Sequence, residues 1–469
     1  MPLLLSDTPA LRAARRVAST LASAGHQAFF VGGCVRDLLL DAEPEDFDIA
    51  TSATPTEIIA LFPDTLQVGA HFGVILVQNK AVEAASPIEV ATFRKDGTYL
   101  DGRRPEEVHL STDPREDVLR RDFTVNGMLL DPSAIVDEAD GRISAPETAI
   151  LDFVGGQNDL THGLIRAIGQ AHVRFMEDKL RLLRGVRFAA RLGFTLEAST
   201  LLAMQELAPG ISQVSAERVR EELTRMLTEG GAARAFKLLD ETGLLVQVLP
   251  EITRMHDVAQ PADWHPEGDV WIHTMLLLEK LHAGCPSTLA WGALLHDVGK
   301  PPTYQKEGED GRIRFNGHVE VGVRMAEEIL DRLRFSNDDK EQIVALVKNH
   351  MRFGDVLEMK ESTLRRFLRL PRFGEHLDLH WLDCSSCHGK LGLYEFTKQR
   401  FEQEPEEARQ LPLLLTGRNL IAAGYRPGPN FKAMLEAAED AQLESSITTS
   451  EEALELVRRK FGLPSTDDR

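Results

Sequence analysis

A chain of 469 residues exceeds what one hydrophobic core serves and predicts roughly three or four domains. Its 43% hydrophobic and 27% charged residues are ordinary for a soluble globular protein, and no hydrophobic run is long enough to span a bilayer. The net charge of −20 disfavours a uniformly basic nucleic-acid binder but says nothing about how charge is distributed.

Residues Pro9–Ala24 predict a helix with Leu11, Val17 and Leu21 among small and basic residues. Strand-like runs follow at Ala28–Val31, Phe47–Ile49, Gly73–Val77 and Ile88–Phe93, with a helix over Thr56–Phe62 behind Pro55. They predict a small α+β head that ends near Gly155-Gly156. From about Leu160 helical periodicity takes over. Val173–Leu192 predicts one long helix, with Leu182, Val186 and Ala189 on its apolar face and Gly193 at its C-cap. Ser215 is the expected N-cap of a helix leading into Val219–Leu227. The Pro- and turn-rich Gln260–Gly268 predicts a linker, and a second helical unit runs from about Val270 to Tyr394. The acidic Glu402–Glu407 separates that unit from a short helical C-terminal region. The expected division is residues 1–156, 157–259, 260–395 and 396–469.

The head carries the first chemistry. Phe29–Val31 runs into Gly32-Gly33-Cys34-Val35-Arg36-Asp37, and Glu45-Asp46-Phe47-Asp48-Ile49 follows closely. On a strand, residues two apart share a face, so Asp46 and Asp48 are expected to present paired carboxylates. The glycines let backbone N–H groups approach an anion. Hard oxygen ligands beside a phosphate cradle suit Mg²⁺-dependent nucleotidyl transfer. Glu89 offers a third carboxylate; by spacing alone it is equally a half-buried strand acid. Arg120-Arg121-Asp122-Phe123-Thr124-Val125-Asn126 supplies guanidinium forks for phosphate, with Asp122 and Asn126 suited to ribose hydroxyls. Asp178 and Arg181 in Glu177–Arg181 are helical i,i+3 neighbours, although Glu177 and Arg181 also fit an ordinary surface ion pair. From Arg166 to Arg191 there are seven Lys/Arg, including Arg184 and Arg187, against two acids, a stripe that can follow a phosphate backbone.

These motifs resemble the class II tRNA nucleotidyltransferase and bacterial poly(A) polymerase family, within the polymerase β-like nucleotidyltransferases, over the chain to about Leu249. The resemblance implies that Asp46 and Asp48 hold Mg²⁺ with Glu89 as third carboxylate. It implies that Gly33, Arg36 and Arg121 meet the incoming nucleotide, beside Gly32, and that Asp122 meets its ribose. It also implies that Asp178 and Arg181 pair with the base edge of CTP or ATP, with Arg184 and Arg187 nearby. A donor–acceptor pair fixed on a helix can imitate a Watson–Crick edge without a nucleic-acid template. Arg94–Pro105 fits a mobile loop of the kind that CC-only members lack, which leaves CCA addition, A-only addition and poly(A) synthesis open.

A second cluster lies downstream. Trp291–Lys300 places His296-Asp297 at the end of an apolar helix, with His273 before it and His318, His350 and Asp383 after it. A lone histidine on an apolar face is usually a core residue, whereas four beside a His-Asp doublet can converge on one metal. Val270–Tyr394 resembles the HD superfamily of metal-dependent phosphohydrolases. The resemblance implies His273, His296, Asp297 and Asp383 as core ligands of a divalent transition metal, and His318 and His350 as the extra histidines of phosphodiesterase-like members. A phosphatase or 2′,3′-cyclic phosphodiesterase side activity follows.

Four cysteines make no disulfide framework, and Leu3–Leu5 lacks the features of a signal peptide, so a cytoplasmic location is expected. Cys384-Ser385-Ser386-Cys387-His388 has the spacing of a c-type haem attachment site, but that chemistry belongs to exported proteins. The expected protein is an α+β-headed, otherwise helical CCA-type nucleotidyltransferase acting on the tRNA acceptor end with CTP and ATP, and on neither membrane nor DNA. The alternatives are a poly(A) or A-only enzyme and, from another class, an RNA-directed HD phosphohydrolase.

Overall fold

The structure is a computed structural model that describes residues 2–67, 73–78, 86–96, 108–261, 265–266, 268–307, 312–405 and 412–463. The chain divides into two compact units, residues 1–253 and 254–469.

The first unit opens with β1 (Leu3–Leu5), α1 (Pro9–Ser23), β2 (Ala28–Val31) and α2 (Gly33–Leu39). There follow β3 (Asp48–Thr51), α3 (Pro55–Leu61), β4 (Thr65–Leu66), β5 (Val74–Val77) and β6 (Ile88–Thr92). The short pair β7 (Arg94–Asp96) and β8 (Val108–Leu110) flanks residues 97–107, so most of the expected mobile loop lies outside the described residues. After α4 (Pro114–Leu119) come β9 (Met128–Leu130), β10 (Val136–Asp137), β11 (Ile143–Ala145) and β12 (Ile150–Asp152). Seven strands form one mixed sheet in the order β12-β9-β2-β3-β6-β5-β4. Helix α1 starts where Thr8 accepts from the Leu11 amide at 3.1 Å and Pro9 takes the first turn, a position with no amide partner to lose. Its Leu11, Val17 and Leu21 are buried with Phe30, Ile49 and Val90 of the sheet. Each such side chain contributes about 1.5–3 kcal/mol when removed from water.

Register positions the chemistry. Strands β2 and β3 are antiparallel with Val31 opposite Asp48, while β3 and β6 run parallel with Ile49 level with Val90. The Gly32-Gly33 turn, Asp48 and Glu89 therefore meet at one end of the sheet. The strand begins at Asp48 rather than Phe47, so Asp46 lies on the approach to it. Between the two acids, Phe47 is buried against Phe30 with ring centroids 5.2 Å apart.

The rest of this unit is α5 (Gly156–Thr161), β13 (Leu164–Ile165), α6 (Ala171–Glu177), α7 (Leu180–Leu192) and β14 (Thr195–Leu196). Then come α8 (Ala198–Leu207), α9 (Ala216–Thr228), α10 (Ala232–Glu241), α11 (Leu245–Val248) and α12 (Pro250–Thr253). The expected single helix over Val173–Leu192 is two helices, because Asp178 is extended (φ −143°, ψ 108°) and its carboxylate accepts the Leu180 amide at 3.0 Å. An aspartate that caps the next helix competes with helix continuation. Helix α7 does bury Leu182, Val186 and Ala189 and ends at Gly193. Ser215 is the N-cap of α9, although its hydroxyl makes no capping hydrogen bond.

The second unit contains α13 (Val270–Glu279), α14 (Ser287–Leu295), α15 (Lys300–Thr303), and a hairpin of β15 (Gln305–Glu307) with β16 (Arg312–Arg314) that helical periodicity did not foretell. Next are α16 (His318–Arg332), α17 (Asn337–Asn349), α18 (Glu361–Leu368), α19 (Phe373–Ser386) and α20 (Gly392–Gln403). Three further helices, Gly417–Ala422, Asn430–Leu443 and Ser450–Phe461, close on their own core around Leu420, Met434 and Val457. The expected linker Gln260–Gly268 is pinned at its ends by a bridge between Ala259 and Asp269, and Gln260 is buried; residues 262–264 and 267 lie outside the described residues. Gly299 is required: a Cβ there would lie 2.1 Å from the His318 carbonyl, which blocks docking of α16 on the His-Asp turn.

Candidate active site and metal centre

In the first unit a cleft of about 500 Å³ is lined at one end by Gly32, Asp46 and Asp48 and at the other by Asp178, Arg181 and Arg218. Gly32 caps α2 with φ +80°, a backbone that other residues rarely adopt. Burial, then the charges of Glu89 and Asp46, push the Asp48 carboxyl up to about 7, with Arg121 opposing. Glu89 is also raised, by burial and by Asp46 against the pull of Arg121. Carboxyls raised by acidic neighbours fit a divalent cation, whose charge removes the repulsion.

The arginines facing these acids are braced. Arg36 is buried, donates to Asn126 Oδ1 and to Asp37 Oδ1, both at 2.8 Å, and lies over the Phe188 ring. Arg121 donates to Asp117 Oδ2 at 2.9 Å, and Arg120 donates to Asp117 Oδ1 at 2.6 Å. Asp122 Oδ2 accepts from Arg184 at 2.7 Å, while its Oδ1 accepts the Phe123 amide at 2.8 Å and Asn126 Nδ2 at 3.4 Å. Burial would raise Asp122, but Arg184 holds it down at about 2.

At the far end the broken helix matters. Asp178 Oδ2 accepts from Arg218 at 2.9 Å, and Arg181 donates to Glu177 Oε2 at 2.7 Å and to the Arg120 carbonyl at 2.9 Å. Glu177–Arg181 is thus both the ion pair that spacing suggested and part of the cleft wall. Arg187 is buried and gives two of its nitrogens to Glu222 and Glu229, at 2.7 and 3.0 Å. The basic stripe is largely neutralised: Arg166 pairs with Asp159, Arg174 with Glu177 and Arg191 with Glu229, and Lys179 is buried on the Phe175 carbonyl. Sequence reading missed Asp117 and the Arg218–Asp178 pair. A buried acid three and four residues before Arg120-Arg121 was a usable signal; Arg218, 40 residues from Asp178, gave none.

The second unit gathers the other predicted set. Asp297 is buried between two groups, His273 with His296 and His318 with His350, whose donor atoms in each case lie within 4.8 Å of one another. Its Oδ2 lies 3.2 Å from His296 Nε2 and 3.9 Å from His273 Nε2. Its Oδ1 lies 3.8 Å from His350 Nε2 and 4.0 Å from His318 Nε2. Asp383 on α19 reaches His273 Nε2 at 3.2 Å. The Nδ1 atoms of His296, His318 and His350 each contact a carbonyl three residues back, at 2.9, 2.9 and 2.7 Å. A carbonyl only accepts, so each Nδ1 carries the proton and each Nε2 keeps its lone pair for the centre. Among the described residues the buried Nε2 atoms of His318 and His350 have no hydrogen-bond partner. This donor set fits a divalent metal that takes imidazole and carboxylate together. Burial drives His350 down to about 4 even though Asp297 pulls the other way. Burial would raise Asp297 too, yet Lys300, at 2.7 Å from Oδ2, and the histidines hold it well below the carboxylate range. Lys300 also donates to Gln260 Oε1 at 2.7 Å, and His265 sets its ring edge-on to His273; neither Gln260 nor His265 stood out in the sequence. The four cysteines are free thiols, and burial with the Asp383 charge pushes Cys384 up to about 12, so it is a poor metal ligand. Among the described residues no helix is long and apolar enough to cross a membrane.

The geometry agrees with known proteins. Residues 28–166 match the poly A polymerase head domain, residues 193–255 the probable RNA and SrmB-binding site of polymerase A, and residues 269–370 the HD domain. The chain is 41% identical over 240 residues to a CCA-adding enzyme of Geobacillus thermodenitrificans, covering 51% of this chain and 53% of that protein. It is 36% identical over 282 residues to a CCA-adding enzyme of Bacillus pumilus, covering 60% and 62%. The chain thus spans about half the length of the first of these curated relatives, and somewhat more of the second. The Bacillus stearothermophilus CCA-adding enzyme in complex with CTP superposes with a TM-score of 0.69 at 26% identity, covering 96% of this chain and 98% of that one. The Thermotoga maritima CCA-adding enzyme complexed with tRNA shares the fold, with a TM-score of 0.52 at 18% identity over 97% and 96%. Matches to a poly A polymerase head, to an RNA-binding region of polymerase A and to an HD domain thus lie in succession along one chain that is similar to CCA-adding enzymes.

Proposed function

We propose that the chain adds and repairs the 3′-terminal CCA of tRNA from CTP and ATP without a nucleic-acid template. The observation that supports this reading is one cleft lined by Asp46 and Asp48 as well as by Asp178 and Arg181, which suits a nucleotide held by its triphosphate and its base together. Asp46, Asp48 and Glu89 would hold Mg²⁺, which supplies activation of the tRNA hydroxyl and a clamp on the triphosphate. The Gly32-Gly33 backbone, Arg36 and Arg121 take the phosphates. Asp122, fixed by Arg184, keeps lone pairs for the ribose, beside Asn126. Asp178 accepts from the base edge and Arg181 donates to it, with Arg184 and Arg187 behind them. A poly(A) or A-only enzyme would share the head, but the relatives' names favour CCA addition. A bare HD phosphohydrolase has no use for the cleft carboxylates. The four-part division at residues 156, 259 and 395 and a cytoplasmic setting, which suits four free thiols, belong to the same reading.

The test is to incubate the protein with tRNA ending at the discriminator base and CTP, ATP or both, then to size the products. Three added residues that require both nucleotides are expected. A long A tract, or a single A from ATP alone, would sink the CCA reading.

A second activity is favoured by the imidazole nitrogens that face Asp297. A divalent transition metal there would lower the barrier to water attack on a phosphoester, giving phosphatase or 2′,3′-cyclic phosphodiesterase activity on RNA ends. Assays with nickel, manganese or cobalt on a 2′,3′-cyclic nucleotide check it. No turnover with any of these metals would leave the second unit without this activity.

A further inference from the structure

We propose that Asp117 is a positioning residue that sets the phosphate-facing and base-reading ends of the cleft in register. This rests on the nucleotidyltransferase reading above and deepens it.

Asp117, on α4, is 0% exposed. Its Oδ1 accepts from Arg120 Nε and Nη2, at 2.8 and 2.6 Å. Its Oδ2 accepts from Arg121 Nε and Nη2, at 3.2 and 2.9 Å. One carboxylate therefore receives two forked guanidinium pairs, an arrangement with little angular freedom. The two arginines lead in opposite directions. Arg121 Nη1 passes 3.7 Å from where a Cβ on Gly32 would stand, and its charge reaches Asp48 and Glu89. The Arg120 carbonyl accepts from Arg181 Nη2 at 2.9 Å. Asp117 thus touches the phosphate end through Arg121 and the base-reading arginine through the Arg120 backbone.

Two adjacent arginines also repel each other, and Asp117 is the buried counter-charge both share. Asparagine in its place removes the charge that both arginines share and turns an N–H donor toward one of the two forks. Both ends of the cleft then loosen together. A residue serving only one end would not do this.

The test uses the full chain with Mg²⁺ and measures three quantities: binding of CTP and ATP by calorimetry, KM and kcat for addition to tRNA lacking CCA, and the preference for CTP over UTP. Asp117→Asn is expected to weaken nucleotide binding and raise KM by about tenfold. It should also lower the CTP preference by a similar factor, with kcat for CTP at saturation largely kept. If either KM or preference moves alone, or neither moves, the coupling is wrong. Should Asp117→Asn not fold, Arg120→Met decides, because it frees the Arg120 carbonyl while Asp117 stays paired with Arg121. A fall in CTP preference larger than the rise in KM supports the proposal, and unchanged preference overturns it. The reading of function fails separately, if the unaltered protein adds neither CMP nor AMP. Calorimetric CTP binding still tests Asp117 in that case.

Discussion

The two metal-binding candidates in this chain are built on opposite principles. In the head, acids gather at one end of the sheet, where burial and the charges of Glu89 and Asp46 hold Asp48 near 7. In the second unit, the acids are buried in a helical bundle beside cations and imidazoles that hold them down, with Asp297 matched by Lys300 and Asp383 by His273. The first site is self-repelling until a cation arrives, which suits an ion that exchanges with each nucleotide. The second already balances its charges and fixes its tautomers, which suits a resident metal of borderline softness.

The largest separation between the two sites should come from removing the head acids. Asp46→Ala or Asp48→Ala is expected to reduce nucleotide addition by several kcal/mol, at least about a thousandfold. Binding of tRNA should persist, and metal retained in the second unit should not change. Primer-extension gels and metal analysis on the same preparations decide it. Normal extension by either variant at saturating Mg²⁺ would break the assignment.

The converse change is smaller. His318→Ala with His350→Ala should weaken metal retention by about 10–100-fold and leave addition within about twofold. This pair is cleaner than His296→Ala with Asp297→Ala, because losing Asp297 strands Lys300 in the interior at a cost of about 3–5 kcal/mol. Nickel or manganese content after dialysis is the measurement. Full retention in the double variant would reduce these histidines to helix packing.

The pair proposed to read the base lies between the two in effect on nucleotide choice. Asp178→Ala or Arg181→Ala should cost about 1–3 kcal/mol of discrimination among CTP, ATP, GTP and UTP. An unchanged ranking of all four nucleotides in both variants would remove these residues from recognition.

What the sequence made legible follows the same contrast. Short-range patterns were readable: a strand running into Gly32-Gly33, acids two apart at Asp46 and Asp48, and a His-Asp doublet closing an apolar helix. Each is local and has a fixed periodicity. The break at Asp178 was hidden because apolar spacing continues from Phe175 to Leu182 through the kink, and periodicity records faces but not caps. Partners of buried charges were hidden for another reason. Arg218, Glu222 and Gln260 reach their partners across 40, 35 and 40 residues, and only tertiary packing determines which charge meets which. The stripe from Arg166 to Arg191 looked free in sequence for the same reason.

The smallest effect, and the sharpest test of the contrast, is the sign of the pH dependence in metal-free protein. Asp48 binds its proton more tightly folded than unfolded, with its pKa raised from 3.8 to about 7. Its contribution stabilises the fold below about pH 4 and is lost as pH rises through about 7. His350 behaves in the opposite way. Its pKa falls from 6.5 to about 4, so the unfolded chain takes up more protons between those values and stability is lost as pH drops through them. In chelator-treated full chain, both effects fall between about pH 4 and 7 with opposite slopes: Asp48→Asn should remove a decline in melting temperature with rising pH, and His350→Gln a decline with falling pH. Shifts of a few degrees are expected. Saturating Mg²⁺ should cancel the first slope, because the cation takes over the charge that the proton had neutralised. If both substitutions changed the slope of that profile in the same sense, the opposition between a self-repelling and a self-balanced centre would be wrong.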